Sequence, residues 1–347
     1  MSASVYAESL LKKFNAKGFS GLSLRNASGD INQASQGFQI AIDTLTYIKK
    51  AVTDQKFYEV APADYVPIAI GEGAFSQNIL TNLTINASGN FEEGMINTGT
   101  GNDRIASADA GIIGKTVKIV NWAKSIGYSV IEIEQALQAN NWDVIEQKHR
   151  ARKKNWDLGI QEIAFLGSKA DTGVKGLFTS TDINSDTATI TKTISSMSAA
   201  EFATFVSAIV GAYQANCAYT AYPDTFVIPQ DDWTGLATPV SSTYPNVSKL
   251  EYLQKAFNAV VPNGVKLMPS VYGLPTINAA RGLNGGSGFH RYIAYRKDPE
   301  SIRMDIPVDL TITQPNTTNN FQFQDVGYGQ FTGVGIYRGL EALYFDF

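Results

Sequence analysis

The end of the chain decides its fold class. Residues 291–315 read RYIAYRKDPESIRMDIPVDLTITQP, and residues 325–347 read DVGYGQFTGVGIYRGLEALYFDF. Apolar and polar residues alternate through both stretches, which is the period of a half-buried β-strand. Apolar side chains continue as far as the last residue, Phe347. We therefore predict that the chain terminus is a strand of a central sheet and not a frayed tail.

Composition excludes several classes of protein. Of 347 residues, 44% are hydrophobic and 17% are charged, and the formal net charge is −4. A dedicated nucleic-acid-binding protein carries a basic excess, and a disordered chain lacks the 11% of aromatic residues found here. The only cysteine, Cys217, permits no intrachain disulfide and is predicted to be buried. Without a signal peptide or an apolar run of membrane-spanning length, we expect a protein made and kept in the cytosol.

The first third of the chain is poor in core-forming residues. Residues 1–37 are polar and are interpreted as an extended or partly helical arm, and residues 38–52 have apolar residues at helical spacing. Residues 67–120 combine strand-like pieces with turns rich in Gly, Asn and Thr. Because long loops are uncommon unless they are functional, we predict here a long β-hairpin that contacts another subunit.

The middle of the chain predicts helices with clear ends. Residues 130–166 are expected to form one helix of about 55 Å, apolar on both flanks and ended by Gly167. Two further helices are predicted to begin at capping boxes, in which a Ser is followed three residues later by a Glu. These are Ser198 with Glu201, and Ser248 with Glu251. A buried strand is predicted to end at Pro229, which completes an α/β middle.

Charged and histidine residues in the long helix have plain structural interpretations. The run EQKHRARKK at residues 146–154 is interpreted as a solvated helix face, with ion pairs between subunits as the alternative. His149 falls in a tryptophan stripe and is predicted to be packed. His290 borders a glycine-rich tip, where a contact role stays open.

No segment carries a catalytic motif. The glycine-rich segments 71–73, 99–101 and 283–288 lack the phosphate-binding pattern and are interpreted as flexible turns. Asp231 and Asp232 are adjacent on a predicted turn and are expected to point apart, unlike a catalytic pair. The sequence therefore predicts a protein that is not an enzyme, with no catalytic, cofactor-binding or metal-binding residues and no cofactor.

Two segments resemble a known family. In the first, a Tyr-x-x-Asp-Pro-Glu motif precedes a Pro-bearing strand, and the chain then ends on a Gly-Val strand and an Ala-x-x-Phe terminus. Its residues are Tyr295, Asp298, Pro299, Glu300, Pro307, Gly333, Val334, Ala342 and Phe345. The second, residues 128–178, carries Gly167, Gly173, Gly176 and Leu177 after the long helix. With the order of the elements, these segments resemble the major capsid proteins of tailed bacteriophages, in which Tyr is usual at the position of Phe345.

The resemblance implies an α+β protein with the HK97-type capsid fold. Its N-terminal arm and first helix would be residues 1–55, and its E-loop β-hairpin residues 56–122. The P domain, with the spine helix and returning strands, would be residues 123–185 and 291–347. The α/β A domain would be residues 186–290.

Function and partners follow from the same resemblance. Subunits would assemble with one another into the hexamers and pentamers of an icosahedral shell that encloses phage double-stranded DNA without reading its sequence. The protein would be made in the host cytoplasm and reside in the virion, with no membrane partner. Because the chain enters its arm almost at once, a scaffold would be a separate protein, alongside a portal and decoration proteins.

Three alternatives remain open on sequence alone. An encapsulin-type nanocompartment shell shares the fold but holds enzyme cargo. A phage tail or adhesive β-protein would fit the Asn-, Thr- and Gly-rich hairpin, although the long helix argues against it. A glycosidase using Glu92 or Glu93 would require a second carboxylate across a cleft. A bound ion, in any of these proteins, would use Asp103 and Asp109 of the hairpin.

Overall fold

The last strand of the chain lies in the interior of a sheet. The computed structural model describes residues 56–85, 111–139, 144–241, 244–317, 319 and 321–347. Within these residues, Ala342–Asp346 pairs with a strand on each side, and Leu343, Tyr344 and Phe345 are buried. The prediction that the terminus is part of a central sheet is therefore confirmed.

Several predicted features lie outside the described residues. These are the arm at 1–37, the helix at 38–52, the glycines at 99–101, and Glu92, Glu93, Asp103 and Asp109. They stay predictions. The described residues from 57 onward form one compact unit.

The described residues contain fifteen strands and six α-helices. The strands are β1 (Ile68–Ile70), β2 (Asn78–Ile85), β3 (Gly111–Ser129), β4 (Asn184–Asp186), β5 (Thr225–Pro229), β6 (Pro239–Ser241), β7 (Tyr244–Ser248), β8 (Lys266–Ser270), β9 (Arg291–Tyr295), β10 (Ile302–Ile306), β11 (Val308–Ile312), β12 (Asn316–Thr317), β13 (Gln322–Thr332), β14 (Val334–Ile336) and β15 (Ala342–Asp346). The helices are α1 (Val130–Ala139), α2 (Val144–Leu166), α3 (Ala199–Asn216), α4 (Gln230–Gly235), α5 (Lys249–Val260) and α6 (Pro275–Ala280).

The strands form three larger sheets and one small hairpin. One sheet has the order β11-β13-β3-β2, with β12 beside β13, and a second has the order β4-β15-β9-β5-β8. The third has the order β1-β10-β14, and β6 pairs with β7. β3 connects two regions of the first sheet, because residues 111–118 pair with β2 and residues 119–129 pair with β13. The antiparallel pairing of β2 with β3 confirms strands on both sides of the predicted hairpin.

The long helix predicted over residues 130–166 is described in two parts. The structure describes α1 and α2 as helices, and residues 140–143 between them lie outside the described part, so a single continuous helix stays a prediction. Of the residues expected to cover its two flanks, Trp156 and Phe165 are buried and Ala151 is exposed. Burial recurs at every fourth position from Arg152, which places this stripe of the helix against the sheet. The buried residues of α2 are Arg152, Trp156, Ile160, Gln161, Ala164, Phe165 and Leu166.

Two hydrophobic cores organise the molecule. One lies around α2 and strands β10 and β14, and the other around α3, α5 and one face of the sheet that contains β15. The capping box of Ser198 and Glu201 is confirmed, with the Ser198 backbone N–H donating to Glu201 at 2.8 Å. Ser248 is an N-cap as predicted, and its Oγ accepts from Glu251 N–H at 3.2 Å. The division into arm, E-loop, P and A domains stays a prediction.

Candidate assembly surfaces

Helix α2 crosses β13 over two glycines. A Cβ atom at Gly327 would collide with the Arg152 side chain, and one at Gly329 would collide with the indole ring of Trp156. Gly327 and Gly329 are two residues apart on the same face of β13, and Arg152 and Trp156 are four apart on one face of α2. The missing side chains therefore form two depressions that receive the helix and set its position on the sheet.

The contact includes a buried ion pair. Arg152, 2% exposed, binds the carboxylate of Asp325 on β13, which is 1% exposed. His149 lies beside them, with Nε2 3.3 Å from Asp325 Oδ2 and Nδ1 3.0 Å from an Arg152 guanidinium nitrogen. The interpretation of the charged run as a solvated face is thus wrong for Arg152, whose charge is needed to compensate the buried carboxylate.

Other cations of the charged run pair within the chain. Lys148 binds Glu132 of α1 at 3.1 Å, and Lys154 binds Glu59. A hydrogen bond from Lys148 holds the pKa of the Glu132 carboxyl below its usual value. These lysines therefore connect α2 to neighbouring segments of the same subunit.

Two exposed ion pairs connect β3 to the loop that follows α2. Lys115 Nζ lies 2.7 Å from Asp182 Oδ2, and Lys118 Nζ lies 2.5 Å from Asp171 Oδ2. The hydrogen bond from Lys118 lowers the pKa of Asp171. Packing supports the same arrangement, because Val117 of β3 lies against Gly335 of β14. Together these contacts fix where the β2–β3 hairpin leaves the body of the subunit.

The glycines in the family-like segments meet at one junction. A Cβ atom at Gly167, which has a φ of 66°, would overlap the backbone of residues 174–176. A Cβ atom at Gly176 would overlap the backbone of Gly167 and Leu166, and one at Gly333 would overlap Lys175. Val334 N–H donates to Lys175 carbonyl at 2.7 Å. Close backbone packing therefore requires glycine at all three positions, and Gly167 ends α2 as predicted.

The Tyr-x-x-Asp-Pro-Glu motif is a structural turn. Tyr295 is buried and its hydroxyl donates to the Tyr65 carbonyl at 2.7 Å. After it, the backbone N–H groups of Ser301 and Ile302 both donate to the Asp298 carbonyl at 2.9 Å. The turn carries the chain from β9 to β10, so this motif joins the two sheets that contain these strands.

Asp231 and Asp232, the adjacent carboxylates considered for catalysis, have different partners. Asp232 is buried and accepts hydrogen bonds from the Ile194 and Ser195 backbone N–H groups and from the Tyr292 hydroxyl, at 2.7–2.8 Å. Asp231 instead lies 2.7 Å from His290 Nε2, so the two carboxylates point apart as predicted. Burial raises the pKa of Tyr292, and Asp232 raises it further.

The remaining candidates are consistent with structural roles. Cys217 is buried, as predicted. His149 is only partly packed, since about a third of its side chain is exposed. His290 stacks on Phe347, with ring centroids 5.0 Å apart. Gly71 and Gly73 lie at a turn, as predicted, whereas the segment predicted as a turn at 283–288 begins with a short 3₁₀-helix, Leu283–Gly286. The φ angles of Gly71, Gly73, Gly285 and Gly286 are positive.

Neither a metal-binding cluster nor a membrane-spanning helix is found in the described residues. They contain no group of three or more His, Cys, Asp or Glu side chains placed to hold a metal ion. None of their helices has the length and apolar character that crossing a membrane requires.

Three features together define the HK97-type capsid fold. They are the hairpin of β2 with the long strand β3, the helix α2 packed on the sheet that contains β3, and the α/β core that includes the chain terminus. The chain is similar in structure to a chain of the capsid of the Myoviridae phage XM1, with a TM-score of 0.67, at 16% identity, over 88% of this chain and 97% of that one. A chain of Microbacterium phage Oxtober96 gives 0.55, at 7% identity and coverages of 86% and 92%. A chain of Mycobacterium phage Ogopogo gives 0.53, at 10% identity and coverages of 88% and 98%.

The sequence identifies the family more directly. Residues 95–347 match the family model described as major capsid protein, and this chain belongs to that family of tailed-phage capsid proteins. No curated protein matches the sequence. The protein is therefore a structural subunit of a capsid shell, as the resemblance implied.

Proposed function

We propose that this capsid subunit assembles with its copies into hexamers and pentamers of an icosahedral shell that encloses phage double-stranded DNA. The match of residues 95–347 to the major capsid protein family carries the proposal. The net charge of −4 supports a shell that contains DNA without binding it strongly, because strong phosphate binding requires a basic surface.

The parts of the subunit receive roles within this proposal. The hairpin of residues 56–122 covers a neighbouring subunit, and the arm at residues 1–37, which precedes the first helix, connects subunits. Residues 123–185 and 291–347 form the P domain, and residues 186–290 form the A domain near the axis of each capsomer. Many modest contacts, repeated by symmetry, stabilise such a shell. No residue is assigned a catalytic, cofactor-binding or metal-binding role.

Further partners are proposed on the same basis. A scaffold, a portal and decoration proteins are the proposed partners, and the subunit is made in the host cytoplasm before it enters the virion. Of the alternatives, only the nanocompartment shell shares this fold, and the two differ in what the shell contains.

Electron microscopy of particles purified after expression of the full chain tests the proposal. We expect closed shells or capsomer rings with fivefold and sixfold positions, and nuclease-protected DNA in particles purified from infected cells. Shells that hold a specific protein cargo and no DNA would support a nanocompartment instead. A chain that stays monomeric when produced with its scaffold would contradict the shell function.

A further inference from the structure

A buried carboxyl group lies beside the loop that leads into the β2–β3 hairpin. Asp305 of β10 is 1% exposed, and neither of its carboxylate oxygens has a hydrogen-bond partner among the described residues. Arg303 lies two residues earlier on the same face of β10, with its Nε 2.9 Å from Asp305 Oδ1. The geometry of this ion pair leaves that nitrogen without a hydrogen bond as well. A buried carboxyl group with so little compensation is costly to ionise.

The loop of residues 71–77, between β1 and β2, adopts a strained conformation. The φ angles of Gly71, Gly73 and Phe75 are 91°, 76° and 62°. Phenylalanine rarely has a positive φ, so its surroundings must hold it there. The Phe75 side chain is 74% exposed, whereas its backbone N–H donates to Gln330 Oε1 at 2.7 Å. This hydrogen bond therefore helps to hold the strained loop on the sheet.

Two strands connect the loop with the carboxyl group. On β10, the Ile306 carbonyl accepts from Gly71 N–H at 3.0 Å, and Ile306 directly follows Asp305. On β13, Thr332 Oγ1 accepts from Asp305 N–H at 3.0 Å. Gln330, which binds the loop, lies two residues before Thr332 on the same face of β13. A change at Asp305 is therefore close to both places where the loop is bound.

Charged groups around Asp305 belong to its own strand and to the loop. Burial raises the pKa of the Asp305 carboxyl, the Arg303 guanidinium lowers it, and the Glu72 carboxylate of the loop raises it. The Arg303 guanidinium carbon lies 5.7 Å from the ring centroid of Tyr337, whose buried hydroxyl has no hydrogen-bond partner in the described part of the chain. The packed loop therefore favours the neutral form of Asp305.

We propose that Asp305 is a pH-dependent switch that controls how firmly the loop of residues 71–77 is bound. With Asp305 protonated, Glu72 meets no opposing charge there and the loop stays packed on β10. When Asp305 ionises, the two carboxylates repel each other and the strained loop loosens. Because β2 begins at Asn78, directly after the loop, the same proton controls how firmly the hairpin is held. The switch lies within one subunit and does not depend on the shell function proposed above.

Hydrogen exchange of the unassembled wild-type chain at about pH 4 and about pH 8 tests the switch. A carboxyl whose pKa is raised in the folded state contributes stability below its unfolded-state pKa, and that stability is lost as pH rises through the folded-state value. After correction for intrinsic exchange, the protection of Phe75 N–H should be at least about threefold lower at the higher pH. Val334 N–H, which donates to the Lys175 carbonyl, is the reference and should show no such change.

Asp305→Asn keeps the shape of the side chain and cannot ionise. We expect this variant to show equal protection of Phe75 N–H at the two pH values. Glu251→Gln is the matched control, because it removes an exposed carboxyl on α5 and should keep the wild-type pH dependence. Wild-type pH dependence in Asp305→Asn would overturn the proposal, and so would wild-type protection that does not vary with pH.

A second variant does not depend on how Asp305→Asn folds. Glu72→Gln changes an exposed residue, removes the charge of the loop and leaves the buried carboxyl in place. We expect its change in Phe75 protection between the two pH values to be at most about half that of the wild type. A change of wild-type size would overturn the repulsion on which the switch depends. Since every measurement uses unassembled subunits, a failure of shell assembly would bear on the proposed function alone.

Discussion

Two glycines on β13 determine how the helix α2 meets its sheet. The side chains of Arg152 and Trp156 occupy the space that a Cβ atom would fill at Gly327 and Gly329. Trp156 also contacts Phe331 and Trp122, with ring centroids 6.0 and 5.2 Å away. The position of the helix therefore depends on the absence of two methyl groups.

Gly329→Ala tests this dependence. The added methyl overlaps the Trp156 ring, and we expect the free energy of unfolding to fall by about 1–3 kcal/mol, as for other overpacked cores. Gly211→Ala in α3 is the matched control, since nothing lies within 4 Å of its added methyl. There alanine should raise the free energy of unfolding by about 0.5–1 kcal/mol. Chemical denaturation measures both variants. Equal changes in the free energy of unfolding for Gly329→Ala and Gly211→Ala would contradict the role of Gly329 in positioning the helix.

Asp325→Asn tests the buried ion pair. The substitution leaves the Arg152 guanidinium buried without its counter-charge, and we expect a loss of about 3–5 kcal/mol in the free energy of unfolding. Glu251→Gln is the control, because the Lys255–Glu251 pair is exposed and should cost far less. Urea denaturation measures both variants. A loss at position 325 as small as that at position 251 would show that the buried pair contributes little.

Glu201 gives a pH-dependent prediction. Hydrogen bonds from Lys192 and then from Ser198 lower the pKa of its carboxyl to about 2. A lowered carboxyl pKa contributes stability above the unfolded-state pKa, and that stability is lost as pH falls through the folded-state value. The melting temperature of the wild type should thus exceed that of Glu201→Gln above about pH 4.5, and the difference should vanish toward about pH 2. A difference that does not change with pH would contradict this assignment.

Among the elements, the hairpin depends on contacts with the loop after α2. Lys115 and Lys118 bind Asp182 and Asp171, which lie more than fifty residues further along the chain. Exposed pairs of this kind contribute little to stability, so their main effect is on the position of the hairpin. Salt should weaken both pairs, because they are solvent-accessible.

Reversing these charges should loosen the hairpin. In unassembled subunits with spin labels on cysteines introduced at the exposed positions 80 and 155, Lys115→Glu with Lys118→Glu should broaden the distribution of label distances. Adding Asp171→Lys and Asp182→Lys should narrow it again, since the attractions are restored. Native Cys217 is buried and should not be labelled. A distribution that is unchanged by the first pair of substitutions would contradict the role of the ion pairs.

Elements with local signals were predictable, and long-range contacts were not. The N-caps Ser198 and Ser248 and the strand ending at Pro229 depend on residues within a few positions of each other, so their sequence patterns were sufficient. The burial of Arg152 depends on Asp325, far away in sequence. A charged residue in a charged run gives no local sign of such a partner, and the solvated interpretation was therefore wrong there.

For the whole molecule, the resemblance to a known family predicted the fold, which the periodicity of apolar residues alone did not predict. Gly167, Gly176 and Gly333 have no unusual pattern individually, yet they meet at one junction where only glycine fits. The order of elements and these glycines together indicated the capsid fold. The place of β2 at the edge of its sheet, as the described residues have it, could not be inferred in the same way, because an edge is defined only once the neighbours of each strand are known.

The most direct measurement is the mass distribution of the purified chain in solution, produced with the scaffold proposed above. A subunit has a mass of 37.6 kDa. The account predicts discrete species of many copies, corresponding to capsomer rings and closed shells. A single species at the subunit mass under these conditions would contradict the central claim that this chain builds a shell.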